Sequence, residues 1–151
     1  MKHLLIIYHS GGGKTESMAQ AVHAGAQREP EVETRLQRAF DSSLDDLLWA
    51  DGLIFGTPEN FGYMSGALKD FFDRTFYPAE PYRLNLPYAL FVGAGNDGTG
   101  AVLAVERIAL GYPLRKMAEP VIVAGTLTDQ HLQSCDELGQ AMAAGLALGI
   151  F

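Results

Sequence analysis

The residues best able to do chemistry lie together near the start of the 151-residue chain, in Tyr8-His9-Ser10-Gly11-Gly12-Gly13-Lys14-Thr15-Glu16. Before them runs an apolar stretch, Leu4 to Tyr8, with the length of a buried strand. After them Met18, Val22 and Gly25 recur at helical spacing. The local reading is strand, glycine-rich turn, helix. Such a turn gathers backbone N–H groups, hydroxyls and the positive end of a helix dipole around one point, and that arrangement binds phosphate. Glycine permits the close backbone approach that an anion cradle needs. Ser10, Gly11, Gly12, Gly13, Lys14 and Thr15 are therefore the expected phosphate ligands.

Two common phosphate motifs fail on spacing. The nucleotide triphosphatase loop needs glycine, four residues, then Gly-Lys-Ser/Thr, which would place glycine where the chain has Tyr8. The dinucleotide pattern G-x-G-x-x-G would need its third glycine at Glu16. The residues do resemble the flavodoxin signature: aromatic, any residue, Ser, two residues, small, any residue, Thr, three residues, Ala, two residues, aliphatic. Tyr8, Ser10, Gly13, Thr15, Ala19 and Val22 meet every position. By that resemblance the turn holds the 5′-phosphate of flavin mononucleotide (FMN).

A second stretch sharpens the likeness. Gly56-Thr57-Pro58-Glu59-Asn60-Phe61-Gly62-Tyr63-Met64-Ser65-Gly66 leads into Leu68, Lys69, Phe71, Asp73, Arg74 and Thr75. This run resembles the flavodoxin-fold NAD(P)H:quinone oxidoreductases of the tryptophan-repressor-binding type, and the related NADPH-dependent FMN reductases. The resemblance implies that Thr57, Pro58, Glu59, Asn60, Phe61 and Gly62 wrap the isoalloxazine ring. Members of that group often have Thr-Arg after the proline, where this chain has Glu59-Asn60. Lys69, Asp73 and Arg74 read as ion pairs on the helix that follows.

A third stretch, Gly93-Ala94-Gly95-Asn96-Asp97-Gly98-Thr99-Gly100, has four glycines in eight residues. Close backbone approach to a flat ligand is one reason for that density. The resemblance places a glycine-rich flavin loop here, so Gly95, Asn96, Asp97 and Gly98 join the expected cofactor-binding set.

These loops must be held by regular elements, and the apolar pattern supplies them. Strands are expected at Leu4–Tyr8, Glu31–Gln37, Leu53–Gly56, Tyr88–Val92 and Val121–Ala124. Glu31–Gln37 alternates apolar and polar, as suits an edge strand. Helices are expected from about Lys14 to Arg28, Ser65 to Phe76, Gly100 to Leu110 and after Thr128, with a short helix or turn in Asp41–Ala50. Strands alternating with helices specify a parallel sheet covered on both faces. The resemblance makes this a flavodoxin-like three-layer α/β/α sandwich, one domain over residues 1–151, with a five-stranded parallel sheet in the order 2-1-3-4-5. Ligands in such folds lie beyond the carboxyl ends of the strands at the switch point, where the three glycine-bearing loops fall.

Composition narrows the function classes. The net charge is −7 and no basic run exists to neutralise a nucleic-acid backbone. No apolar run reaches the ~20 residues of a membrane span. One cysteine, Cys135, excludes an internal disulfide and fits a reducing, cytoplasmic compartment. His3, His9, His23 and His131 have no metal-ligand spacing, so no metal and no catalytic triad is expected. The expectation is an FMN-dependent oxidoreductase that draws on NADPH or NADH and reduces a quinone or similar small molecule, the flavin supplying the chemistry. The alternative is a flavodoxin-type electron carrier without turnover of its own. The resemblance also implies a homodimer.

Overall fold

The computed structural model describes residues 1–151. Its strands are β1 (Lys2–Tyr8), β2 (Val32–Arg38), β3 (Gly52–Asn60), β4 (Tyr63–Met64), β5 (Leu86–Ala94), β6 (Leu114–Lys116) and β7 (Val121–Ala124). Its α-helices are α1 (Lys14–Gln27), α2 (Leu44–Trp49), α3 (Gly66–Ala79), α4 (Thr99–Ala109) and α5 (Asp129–Leu148). β1 lies between β2 and β3, and β3 pairs in turn with β5, all in parallel. Chain order and spatial order therefore diverge at β1, which has β2 on one side and β3 on the other. That is the switch point of the doubly wound arrangement.

β1 can be central because it is apolar on both faces. Leu5 and Ile7 enter one core with Phe55, Phe71, Phe72 and Val105, under α3 and α4. Leu4 and Ile6 enter the other with Met18, Val22, Leu138 and Met142, under α1 and α5. β2 is the edge strand, with Val32 buried and Glu33 and Arg35 exposed.

The expected five-stranded, all-parallel sheet is corrected in two places. The seven strands include a fifth position that is split: β6 pairs with the start of β5 and β7 with its end. Met117 to Pro120 interrupt them, and Pro120 has no N–H to give to the ladder. The second change matters more for function. β3 continues through Pro58 to Asn60, and β4 turns back on it antiparallel, with Glu59 opposite Met64 and Asn60 opposite Tyr63. What reads as a loop is a β-hairpin.

Helix α1 meets α5 at unusually close range, made possible by two glycines. A Cβ on Gly139 would lie 1.9 Å from the Val22 carbonyl oxygen, and one on Gly25 would lie 1.9 Å from that of Asp136. An ion pair between Arg28 and Asp136 closes one end of this interface and holds the Asp136 carboxyl below the usual range. Cys135 is wholly buried in the same layer, and burial pushes its thiol up to about 11. The thiol is then protonated at neutral pH, and only thiolate reacts. Native protein at pH 7 should not react with a thiol reagent such as dithionitrobenzoate, whereas urea-unfolded protein should release one equivalent. Rapid labelling of the native state would show that this layer opens.

Trp49 packs rather than binds. Its ring is stacked on His3, near the start of β1, at 4.2 Å, and the Arg35 guanidinium lies 3.7 Å from its centroid. No helix is long and apolar enough to cross a membrane.

Candidate functional site

β1, β3 and β5 end at one edge of the sheet, and each end carries one of the three glycine-bearing stretches. The first is the best formed. Pairing of β1 with β3 runs one step past Tyr8, His9 N donating to Gly56 O at 3.1 Å. The chain then curls back because Ser10 Oγ accepts from Gly13 N at 3.2 Å and Glu16 N at 3.0 Å. Gly13 takes φ 98, a left-handed conformation that any side chain would strain. The amides of Gly11, Gly12, Lys14 and Thr15 have no partner inside the protein.

Thr15 adds a hydroxyl. The residue is only 3% exposed, its Oγ1 has no intramolecular hydrogen bond, and a Cβ on Gly93 of β5 would come within 2.9 Å of it. Nothing lies within 4 Å of where side chains would stand on Gly11, Gly12 and Gly13. Four orphaned amides and a free hydroxyl thus gather at the N-terminus of a 14-residue helix, with open space beside the three glycines. A phosphate monoester fits this donor set.

Lys14 behaves differently from a simple phosphate ligand. Its ammonium crosses the strand ends and donates to Ala94 O at 2.6 Å and Gly125 O at 2.5 Å. Only its backbone N–H joins the orphaned set. Beside the turn, Tyr8 OH donates to both oxygens of Glu16 at 2.9 Å, and burial together with that carboxylate raises the phenol's pKa.

The second stretch is the β3–β4 hairpin. Thr57 is fully buried; its hydroxyl donates to Pro58 O at 2.8 Å and accepts from Ser65 N at 2.9 Å. It therefore shapes the hairpin base. Glu59 is likewise engaged within the protein, accepting from Gly98 N at 2.9 Å and Ala101 N at 3.1 Å. The groups left open are the half-buried Pro58, the exposed Asn60 and the tip. There Phe61 (φ 54) and Gly62 (φ 70) form the tight turn, both with positive φ. Phe61 is 107% exposed. A bulky residue in the left-handed region, with its ring wholly in water, is a strained and exposed position.

In the third stretch Gly95, Asn96 and Asp97 are exposed, while Gly98 is buried with φ 100. Asp97 accepts from Thr99 Oγ1 at 2.6 Å; the Asn96 side chain has no partner. The fold therefore brings all sixteen expected residues to one sheet edge, although Thr57, Glu59 and the Lys14 ammonium hold other protein groups. The sequence reading missed a fourth segment, Gly125–Thr128, which Lys14 draws to the site through Gly125 O. Its signal was available: it follows β7, whose C-terminus lies on the same edge. A separate groove of about 340 Å³ between α3 and α4, lined in part by Phe72, Phe76 and Tyr77, has no comparable set of orphaned donors.

Comparison with known proteins identifies the family and the fold. The model of the NADPH-dependent FMN reductase family matches residues 27–127, more than half of the chain, including the hairpin and the third stretch. The chain belongs to that family. The glycine-rich turn after β1 precedes the matched residues. Among curated relatives, a flavodoxin of Aquifex aeolicus is 41% identical over 73 residues, 48% of this chain and 40% of the relative. An NAD(P)H dehydrogenase (quinone) of Acidithiobacillus ferrooxidans is 34% identical over 95 residues, 50% of this chain and 48% of the relative. The matched segments thus span less than half of these relatives' own length.

Solved structures confirm the fold. A flavodoxin from the domain Archaea superposes with TM-score 0.82 at 23% identity, covering 95% of this chain and 98% of its own. A WrbA-like flavodoxin from Agrobacterium tumefaciens gives 0.79 at 20% identity, covering 99% of each. The protein is a flavodoxin-like α/β protein of an FMN-binding family.

Proposed function

We propose that this protein is an FMN-dependent oxidoreductase that draws reducing equivalents from NADPH or NADH and passes them to a quinone or similar small molecule. The observation that carries the reading is the set of orphaned donors on Gly11, Gly12, Lys14 and Thr15, at the strand ends that also carry a hairpin lying within the residues matched by the reductase family. Bound there, FMN supplies the transfer of hydride or electrons, which no side chain in this chain can provide. The residues bind and orient. Ser10 and Thr15 hold the phosphate with the four amides. Pro58, Asn60 and Phe61 from the hairpin, and Gly95, Asn96 and Asp97 from the third stretch, would hold the ring. Asn60, Phe61 and Asn96 are exposed, so their side chains are free to meet a ligand.

The test is NADPH oxidation by the purified, FMN-loaded protein with a soluble quinone and no added reductase. Sustained turnover, at the one-per-second scale or above that is ordinary for enzymes, supports the reading. Flavin binding with no turnover of either nicotinamide would replace it with an electron carrier. The 41% identity to the Aquifex aeolicus flavodoxin over 73 residues supports that second reading.

A further inference from the structure

The Gly95–Gly98 segment has little of its own to hold it. Gly95, Asn96 and Asp97 are exposed, and a side chain on Gly95 would meet nothing within 4 Å. Both its ends are fixed from outside. At the start, the carbonyl of Ala94, the residue just before the segment, accepts from Lys14 Nζ at 2.6 Å as well as from Gly125 N at 3.0 Å, where the β5–β7 ladder ends. At the close, Glu59 takes the Gly98 amide on Oε1 at 2.9 Å and the Ala101 amide on Oε2 at 3.1 Å. A carboxylate accepting two amides at a helix N-terminus is a strong, directional contact, because charge-assisted bonds and the dipole act together. The same contact seats the hairpin on α4 so closely that a Cβ on Gly100 would lie 2.1 Å from Gly62 O.

Resting on the FMN reading above, we infer that Lys14 and Glu59 are positioning residues: one from the phosphate turn and one from the hairpin, they set the third loop against the flavin ring without touching the ring. Glu59 is half-buried, and both its carboxylate oxygens are taken by backbone amides of the Gly98–Ala101 region. Hairpin, third loop and α4 form one wall. Ring affinity then depends on a carboxylate that faces backbone amides, and on an ammonium that faces carbonyls.

The experiment compares FMN with riboflavin, which has the ring but lacks the phosphate, by fluorescence titration of the full chain. Glu59→Ala should weaken both ligands by the same factor, roughly tenfold or more for two lost charge-assisted bonds. Amide exchange at Gly98 and Ala101 should accelerate in the unliganded protein, and the absorption bands of any flavin still bound should move toward those of free flavin. Glu59→Gln keeps an acceptor for one amide and should fall between. Lys14→Met keeps the aliphatic stem and should also weaken riboflavin; an effect confined to FMN would mean that the ammonium attracts phosphate and does not place the loop. Unchanged riboflavin affinity in Glu59→Gln and Glu59→Ala, with faster exchange at Gly98, would overturn the inference alone. Absence of flavin binding by the unaltered protein would overturn the functional reading and this inference with it.

Discussion

Replacing Thr15 by Val should weaken FMN binding roughly ten- to hundredfold and leave riboflavin binding unchanged, because a hydrogen bond to a charged group contributes about 1.5–3 kcal/mol. Val preserves the shape of the buried side chain and removes only the hydroxyl, which bonds nothing else in the protein. The protein should therefore stay folded, with an unaltered circular dichroism spectrum and melting temperature. Ser10→Ala should do more. Its Oγ accepts from Gly13 N and Glu16 N, so its loss removes a phosphate contact and also releases the amides that curl the turn. The double variant should lose roughly a thousandfold in FMN affinity, again with little change for riboflavin. Equal losses for both flavins would show that the turn holds the ring or only shapes the fold. No loss for either would remove the phosphate assignment.

The strand, glycine-rich turn and helix at residues 2–27 were legible in the sequence because every determinant is local. An apolar strand, glycines that open the backbone, and hydroxyls at fixed offsets fall within a dozen residues. The central position of Leu4–Tyr8 was legible for the same reason: a run apolar on both faces must be covered on both faces. The hairpin was not. Pro58, Glu59 and Asn60 are residue types depleted in strands, and Phe61 opposes the left-handed preference of its turn position, so local propensity points to a loop. The tertiary pairing that overrides it, Pro58 beside Gly93 and Glu59 beside Met64, is set by β5 and β4. Glu59 was read as a ring contact because its position matched a loop in similar sequences. Its partners are the amides of Gly98 and Ala101, far along the chain, and spacing within one segment gives no sign of them. Lys14 is a like case, since its carbonyl partners come from the ends of β5 and β7. The split of the fifth strand was hidden too, because Leu114–Lys116 is too short to show a period.

Gly139→Ala should destabilise the protein by about 2–3 kcal/mol, although the same change in an isolated helix would stabilise it by about 1 kcal/mol. The sign is decided by what the added methyl meets. Its Cβ would stand 1.9 Å from the Val22 carbonyl oxygen and 3.0 Å from the Ala26 amide nitrogen, both backbone atoms of α1 that no rotamer change can move aside. The two helices must part. Parting them loosens Met18, Val22, Leu138 and Met142 together, since all four are buried in the layer between these helices and the sheet. Urea unfolding should show the midpoint falling by roughly 1–2 M for a protein of this size. Gly66→Ala is the control: it also lies in a helix, but nothing stands within 4 Å of its added methyl, so the midpoint should barely move. If Gly139→Ala left the midpoint unchanged or raised it, α1 and α5 would have room to separate at no cost. The close approach would then be incidental to stability. If instead the midpoint falls while FMN affinity of the folded fraction is kept, the α1–α5 layer sustains the fold from the far end of α1, and the phosphate turn at its N-terminus functions independently of it.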